Sequence, residues 1–120
     1  MAEYLFVYGT LHPERAPAEI ADVVGRFAAP RRGTVLGRLH DLGPYPAVRL
    51  DVERPTAVPG TVFLLPDDPE VLKRLDAYEG FLPGDPPASL FLRQRVEAVL
   101  EDGESIVCWI YTYSHPLPSV

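Results

Sequence analysis

Apolar positions in the 120-residue chain recur at two periods, and the switches between the two mark its elements. Tyr4-Leu5-Phe6-Val7-Tyr8 is an unbroken β-prone run stopped by Gly9, and it reads as a first, central strand. Between Pro17 and Phe27, the residues Ile20, Val23, Val24 and Phe27 recur at helical spacing and predict a short amphipathic helix. Pro30 and Gly33 bound the start of a strand-like stretch from Thr34 to Asp41, and Leu42-Gly43-Pro44-Tyr45-Pro46 is a turn on its chemistry. Short strands are expected over Ala47 to Val52, broken off by Pro55, and over Gly60 to Leu65, ended by Pro66. The clearest helix follows. Asp68 suits the N-cap, Pro69 the first helical position and Glu70 the positive helix end, while Val71, Leu72, Leu75 and Tyr78 share one face up to Gly80. Phe81 to Ala88 holds three prolines and a glycine, which marks a loop and a candidate lid. Leu90 to Leu100 and Glu104 to Tyr113 flank Glu101-Asp102-Gly103, a strong hairpin signal.

The sum is an α+β chain of about six mostly antiparallel strands, closed or partly closed into a barrel, with two packed helices. Its length fits one domain over residues 1–120, without internal repeats or linkers. Hydrophobic residues at 47% and charged ones at 23% are ordinary for a globular chain and argue against disorder. A net charge of −6, with lysine and arginine scattered in pairs, argues against a nucleic-acid surface. The chain has neither a basic, apolar leader pattern nor a membrane-length apolar run, so a cytoplasmic protein with no membrane partner is expected. Acidity also means that an anionic substrate gains nothing from long-range steering. Such a site needs local donors, such as backbone N–H groups.

Most chemical constellations fail on spacing. His12, His40 and His115 lack metal-ligand spacing, so no metal is expected. There is no Gly-x-Ser-x-Gly elbow, no Gly-x-Gly-x-x-Gly and no P-loop, and no cofactor is indicated. Cys108 alternates with Ile110 and Thr112 along a strand and reads as a buried, inert thiol.

Two features remain. Tyr8-Gly9-Thr10-Leu11 closes the first strand, where successive amides can cradle a carboxylate or an oxyanion; alone, a Gly-Thr turn is most often only a turn. Glu79 falls at the C-terminal end of the second helix, where the macrodipole disfavours an anion by about 0.3–1 kcal/mol. That field and nearby burial would raise its pKa toward the range a proton shuttle needs. On position alone, a solvated glutamate at a frayed helix end is the weightier reading.

The ordered series Tyr8-Gly9-Thr10-Leu11, Leu42-Gly43-Pro44-Tyr45-Pro46, Pro59-Gly60-Thr61-Val62-Phe63 and Leu75-Asp76-Ala77-Tyr78-Glu79-Gly80-Phe81 resembles the γ-glutamylcyclotransferase-like family. The nearest branch is the small bacterial and γ-glutamylamine cyclotransferase type, and the resemblance runs from about Tyr4 to Tyr113. It implies a small β-barrel with the substrate in a cavity at its mouth. It also implies a cofactor-free reaction in which the α-amine of a γ-glutamyl unit attacks its own side-chain carbonyl, releasing 5-oxoproline and an amine or amino acid. Glu79 matches the family's catalytic glutamate, and Tyr8, Gly9, Thr10 and Leu11 match its substrate-holding loop. One departure is Phe91-Leu92-Arg93, where the family often has a tyrosine two places before the arginine. The hydroxyl missing there would have to come from elsewhere, Tyr111 and Tyr113 being the candidates. A non-catalytic domain that keeps the cavity to bind or sense a small ligand is the rival expectation. Leaving group and oligomeric state are not legible.

Overall fold

The computed structural model describes residues 2–8, 16–41, 46–50 and 52–113. Its elements run β1 (Tyr4–Val7), α1 (Ala18–Val24), β2 (Ala28–Asp41), β3 (Pro46–Arg49), β4 (Thr56–Leu64), α2 (Pro69–Glu79), β5 (Phe91–Leu100) and β6 (Ser105–Tyr113), with a 3₁₀ turn at Pro86–Ala88. The sheet order is β3-β2-β4-β1-β6-β5, and β5 also pairs with β2 through Gly33↔Leu100 and Thr34↔Val99. Five strands therefore close into a barrel, and β3 lies outside it along β2. β1 is central, as its sequence predicts. All pairings are antiparallel except β1 with β6, which meet in parallel at Leu5↔Trp109.

Strand alternation sorts the apolar residues into two cores. Phe6, Val35, Val58, Val62, Ala98, Leu100, Cys108 and Ile110 come from all five barrel strands and fill the interior, joined by Val48 of β3. Leu5, Val7, Phe63, Phe91 and Tyr111 face the other way and bury Ile20, Val23 and Val24 of α1 with Val71 and Leu75 of α2. Cys108 is fully buried, and burial pushes its thiol up to about 11, as an inert core cysteine requires. Gly60 is what lets the interior close. A Cβ there would sit 2.4 Å from the Phe6 ring and 2.6 Å from the Val7 carbonyl oxygen.

Two strands begin earlier than expected, because proline is tolerated where a ladder bond is absent. β2 runs through Pro30 by a register shift between Ala28 and Arg31, with Ala29 in the left-handed region at φ 48°. β4 runs through Pro59, which faces Thr34 of β2 but lies beyond the β1 partners, residues Thr61 to Leu64. The first helix is shorter than predicted. It stops at Gly25, and Phe27 turns inward against Phe63, with ring centroids 5.6 Å apart.

Candidate active site

α2 brings its C-terminal turn against the barrel because both its ends are chemically specified. Asp68 accepts from the Glu70 N–H at 3.0 Å, Pro69 opens the first turn, and Val71 and Leu75 anchor the buried face. At the other end Gly80 adopts φ 73°, its N–H reaches Ala77 O at 3.3 Å, and the Phe81 N–H reaches Asp76 O at 2.8 Å. This is a Schellman closure, open to glycine because the conformation is left-handed. Leu90 N–H then bonds Gly80 O at 3.0 Å, tying the helix end to the start of β5. Glu79 therefore stands on a fixed turn, which overturns the frayed-end reading.

Glu79 is half-buried, and no hydrogen bond or ion pair reaches its carboxylate among the described residues. Burial without a partner raises its pKa to about 7. The helix macrodipole acts in the same direction. Its charge is felt by two phenols. Tyr8 Oη donates to the Tyr111 carbonyl oxygen at 2.5 Å and accepts from the Val48 N–H at 3.3 Å. Burial pushes the Tyr8 phenol up, the Val48 N–H opposes this, and the Glu79 carboxylate raises it further, so Tyr8 stays a neutral donor. Tyr111 is also pushed up, first by burial, then by its bond to Asp76 and the Asp76 charge, against Arg93, with Glu79 adding to the rise.

Tyr8 and Glu79, far apart in sequence, thus share one electrostatic neighbourhood. Gly9, Thr10 and Leu11, the rest of the expected loop, lie outside the described residues, as do Leu42 to Tyr45.

Behind Glu79 stands a network of which only Tyr111 was a sequence candidate, for its hydroxyl. Asp76, one turn earlier, is buried and accepts from Arg93 Nε at 2.7 Å, Arg93 Nη2 at 3.2 Å and Tyr111 Oη at 2.7 Å. The Arg93 guanidinium lies 4.3 Å over the Trp109 ring and 5.7 Å from the Phe81 ring. The sequence signal was a carboxylate, Asp76, set among Leu72, Leu75 and Tyr78 on the apolar side of the helix. A charge there needs a partner, but the spacing does not name one. Of the two candidates for the hydroxyl absent at Phe91, Tyr111 donates its own to Asp76. Phe91 itself is buried, edge-on to Tyr113 at 5.8 Å between centroids.

The candidate lid is tied to itself. Ser89, fully buried, accepts from the Leu82 N–H at 2.8 Å, and Asp85 N–H bonds Leu82 O at 2.9 Å. An open cleft of about 720 Å³ lies at the opposite end of α2, lined in part by Glu3, Arg26, Leu64, Asp68 and Leu72. It contains neither Tyr8 nor Glu79, so it is separate from the site. Among the described residues no cluster of three or more His, Cys, Asp or Glu could hold a metal ion, and no helix is long and apolar enough to cross a membrane.

A closed five-strand barrel, with a half-buried carboxylate on the helix packed against it, is the frame that the sequence motifs anticipated. The model of the γ-glutamyl cyclotransferase, AIG2-like family matches residues 5–119, and the chain belongs to that family. Three solved structures share the fold. The crystal structure of an AIG2-like protein from Mus musculus is 22% identical with a TM-score of 0.70, over 98% of this chain and 80% of that one. The solution structure of an Arabidopsis thaliana protein is 22% identical with a TM-score of 0.66, over 94% of this chain and 62% of that one. YkqA from Bacillus subtilis is 23% identical with a TM-score of 0.69, over 94% of this chain and 36% of that one. The chain thus spans under two thirds of the Arabidopsis and Bacillus proteins. No curated protein sequence matches it.

Proposed function

We propose that the chain is a γ-glutamyl cyclotransferase that acts on a small γ-glutamyl amine, amino acid or peptide, with Glu79 as general base and then general acid. Family membership supports the reaction class. The observation that carries the role of Glu79 is its carboxylate, unpaired among the described residues and raised to about 7 on a fixed helix end within electrostatic reach of Tyr8. A group poised near neutrality can both take and return a proton there.

In this reaction the nucleophile is already part of the substrate, so the protein has to fold the substrate and move protons. Glu79 takes a proton from the α-ammonium. The freed amine attacks the side-chain carbonyl carbon, and the ring C–N bond forms. The amides of the Tyr8-Gly9-Thr10-Leu11 loop hold the substrate's carboxylate or carbonyl oxygens, the Tyr8 hydroxyl being given to the Tyr111 carbonyl. As the bond to the leaving nitrogen breaks, Glu79 returns the proton to it, and the ring nitrogen gives up its second proton to the released amine, which departs as an ammonium. 5-Oxoproline and a free amine or amino acid depart, and the chemistry uses no cofactor.

The test is 5-oxoproline release from a panel of γ-glutamyl amines and dipeptides. Wild type should turn over at least one, and Glu79→Gln should lose about 10²-fold or more while remaining folded. A folded wild type inert on the whole panel would leave the non-catalytic ligand-binding reading in its place.

A further inference from the structure

His40 carries a nitrogen that the fold leaves without use. Its Nε2 is shut off from water and has no hydrogen-bond partner among the described residues. A buried polar atom is normally paired, so an orphan calls for a partner from outside the chain. The β2–β3 register places this residue beside the candidate site. His40 stands opposite Ala47, next to Val48, whose N–H bonds Tyr8 Oη at 3.3 Å. Directly opposed residues of an antiparallel pair share a side of the sheet, so His40 lies on the side of Ala47. Ala47 is fully buried there, in the cluster that holds Tyr111 of β6 and Leu75 of α2. β3 also packs against β6. His40 therefore stands on the α2-facing side of the β2–β3 ribbon, at the barrel end that bears Tyr8.

Two cations continue along the same side. Arg38 and Arg49 face each other directly, two residues from His40 and Ala47. Like charges so placed weaken a strand pair, so ladder stability would not choose them. Arg26, Arg31, Arg74, Arg93 and Arg95 are each met by a carboxylate. Arg38 instead donates to the Arg54 carbonyl oxygen at 2.6 Å, and no carboxylate reaches it among the described residues. In a chain of net charge −6, this strip offers an anion uncompensated positive charge. Under the proposed function the γ-glutamyl unit is already served by Glu79 and the loop amides, so what remains for donors on β2 is the departing half of the substrate. We propose that His40, with Arg38 beside it, selects the leaving group by binding a carboxylate on it. The substrate is then a γ-glutamyl amino acid or peptide rather than a γ-glutamyl amine. An imidazole N–H and a guanidinium both donate to a carboxylate. An alkylamine offers them nothing, and a diamine brings a further cation to Arg38 and Arg49.

The inference rests on the proposed cyclotransferase reaction, and a matched pair of substrates separates the two. γ-Glutamylalanine and γ-glutamylethylamide differ only in the carboxylate of the leaving group. Wild-type kcat/KM for 5-oxoproline release should favour γ-glutamylalanine by about tenfold or more. His40→Ala should remove most of that preference by slowing γ-glutamylalanine, with the ethylamide staying within about threefold of wild type, and Arg38→Gln should reduce it as well. A wild type that treats the two alike, or prefers the ethylamide, overturns the inference and leaves the cyclotransferase reading standing. So does a His40→Ala variant that slows both equally, as it would if the histidine only held a water or packed the ribbon. Should His40→Ala fail to fold, Arg38→Gln and His40→Phe, which keeps a ring and removes the nitrogen, decide by the same ratio. A wild type that releases 5-oxoproline from neither compound overturns the proposed function instead. Calorimetric affinities of the two compounds for that same protein then test the inference: binding of γ-glutamylalanine tighter by about tenfold supports it, and equal affinities overturn it.

Discussion

The two ends of α2 treat charge in opposite ways. At the N-terminal end Asp68 and Glu70 sit where the macrodipole favours anions, and their partners Arg26 and Lys73 meet them at 2.9 and 3.2 Å in solvent. The Arg26 guanidinium, helped by the Glu70 N–H, holds Asp68 below the usual carboxylate range. At the C-terminal end the dipole disfavours anions, yet Asp76 and Glu79 are both there and both withdrawn from water. One is fully partnered and the other has no partner among the described residues. The first end is built as stability would build it. The second bears a cost that stability alone does not explain, which is what a functional carboxylate leaves behind.

Breaking the buried pair should have the largest effect on stability. Asp76→Ala strands the Arg93 cation and should cost about 3–5 kcal/mol, read as a lower urea midpoint at unchanged slope. An unchanged midpoint would mean that the pair contributes nothing to holding the helix end.

Glu79→Gln should act in the other direction, with a sign set by pH. The folded pKa is raised above the unfolded value of 4.5 to about 7, so the protonated group favours the folded state below 4.5, and this contribution is lost as pH rises through 7. Denaturant curves at pH 8 should therefore show the variant more stable than wild type by about 1–3 kcal/mol, and curves at pH 4 should coincide. A variant less stable at pH 8 would contradict an unpaired, desolvated carboxylate.

Gly80→Ala forces a side chain into the left-handed region and places a Cβ 3.2 Å from that of Leu90. A loss of about 1–2 kcal/mol is expected in thermal unfolding, together with reduced turnover because Glu79 moves with its turn. The smallest change should come from Arg26→Ala at the solvent-exposed N-terminal end, whose melting temperature should stay close to wild type.

How much of this was legible in the sequence depended on distance along the chain. α2 was readable at both ends because Asp68, Pro69 and Gly80 act locally, and the β5–β6 hairpin because Asp102-Gly103 does. A barrel was expected, but which strands close it was not readable, since β5 meets β2 through only two residue pairs of large sequence separation. Strand starts were misplaced at Pro30 and Pro59, whose tolerance depends on where neighbouring strands end. At the site, Glu79 stood out by its awkward position. Tyr8 followed from the resemblance. The Asp76–Arg93–Tyr111 network stayed hidden because three elements contribute to it, and a lone aspartate on an apolar face does not say which cation will meet it.

The pH dependence of kcat/KM for 5-oxoproline release tests the central claim most directly. A Glu79 base predicts a rate that rises with pH through an acid limb near 7, and that limb should vanish with the activity in Glu79→Gln. A limb at the ordinary glutamate value of about 4.3, or a Glu79→Gln variant as fast as wild type, would contradict it.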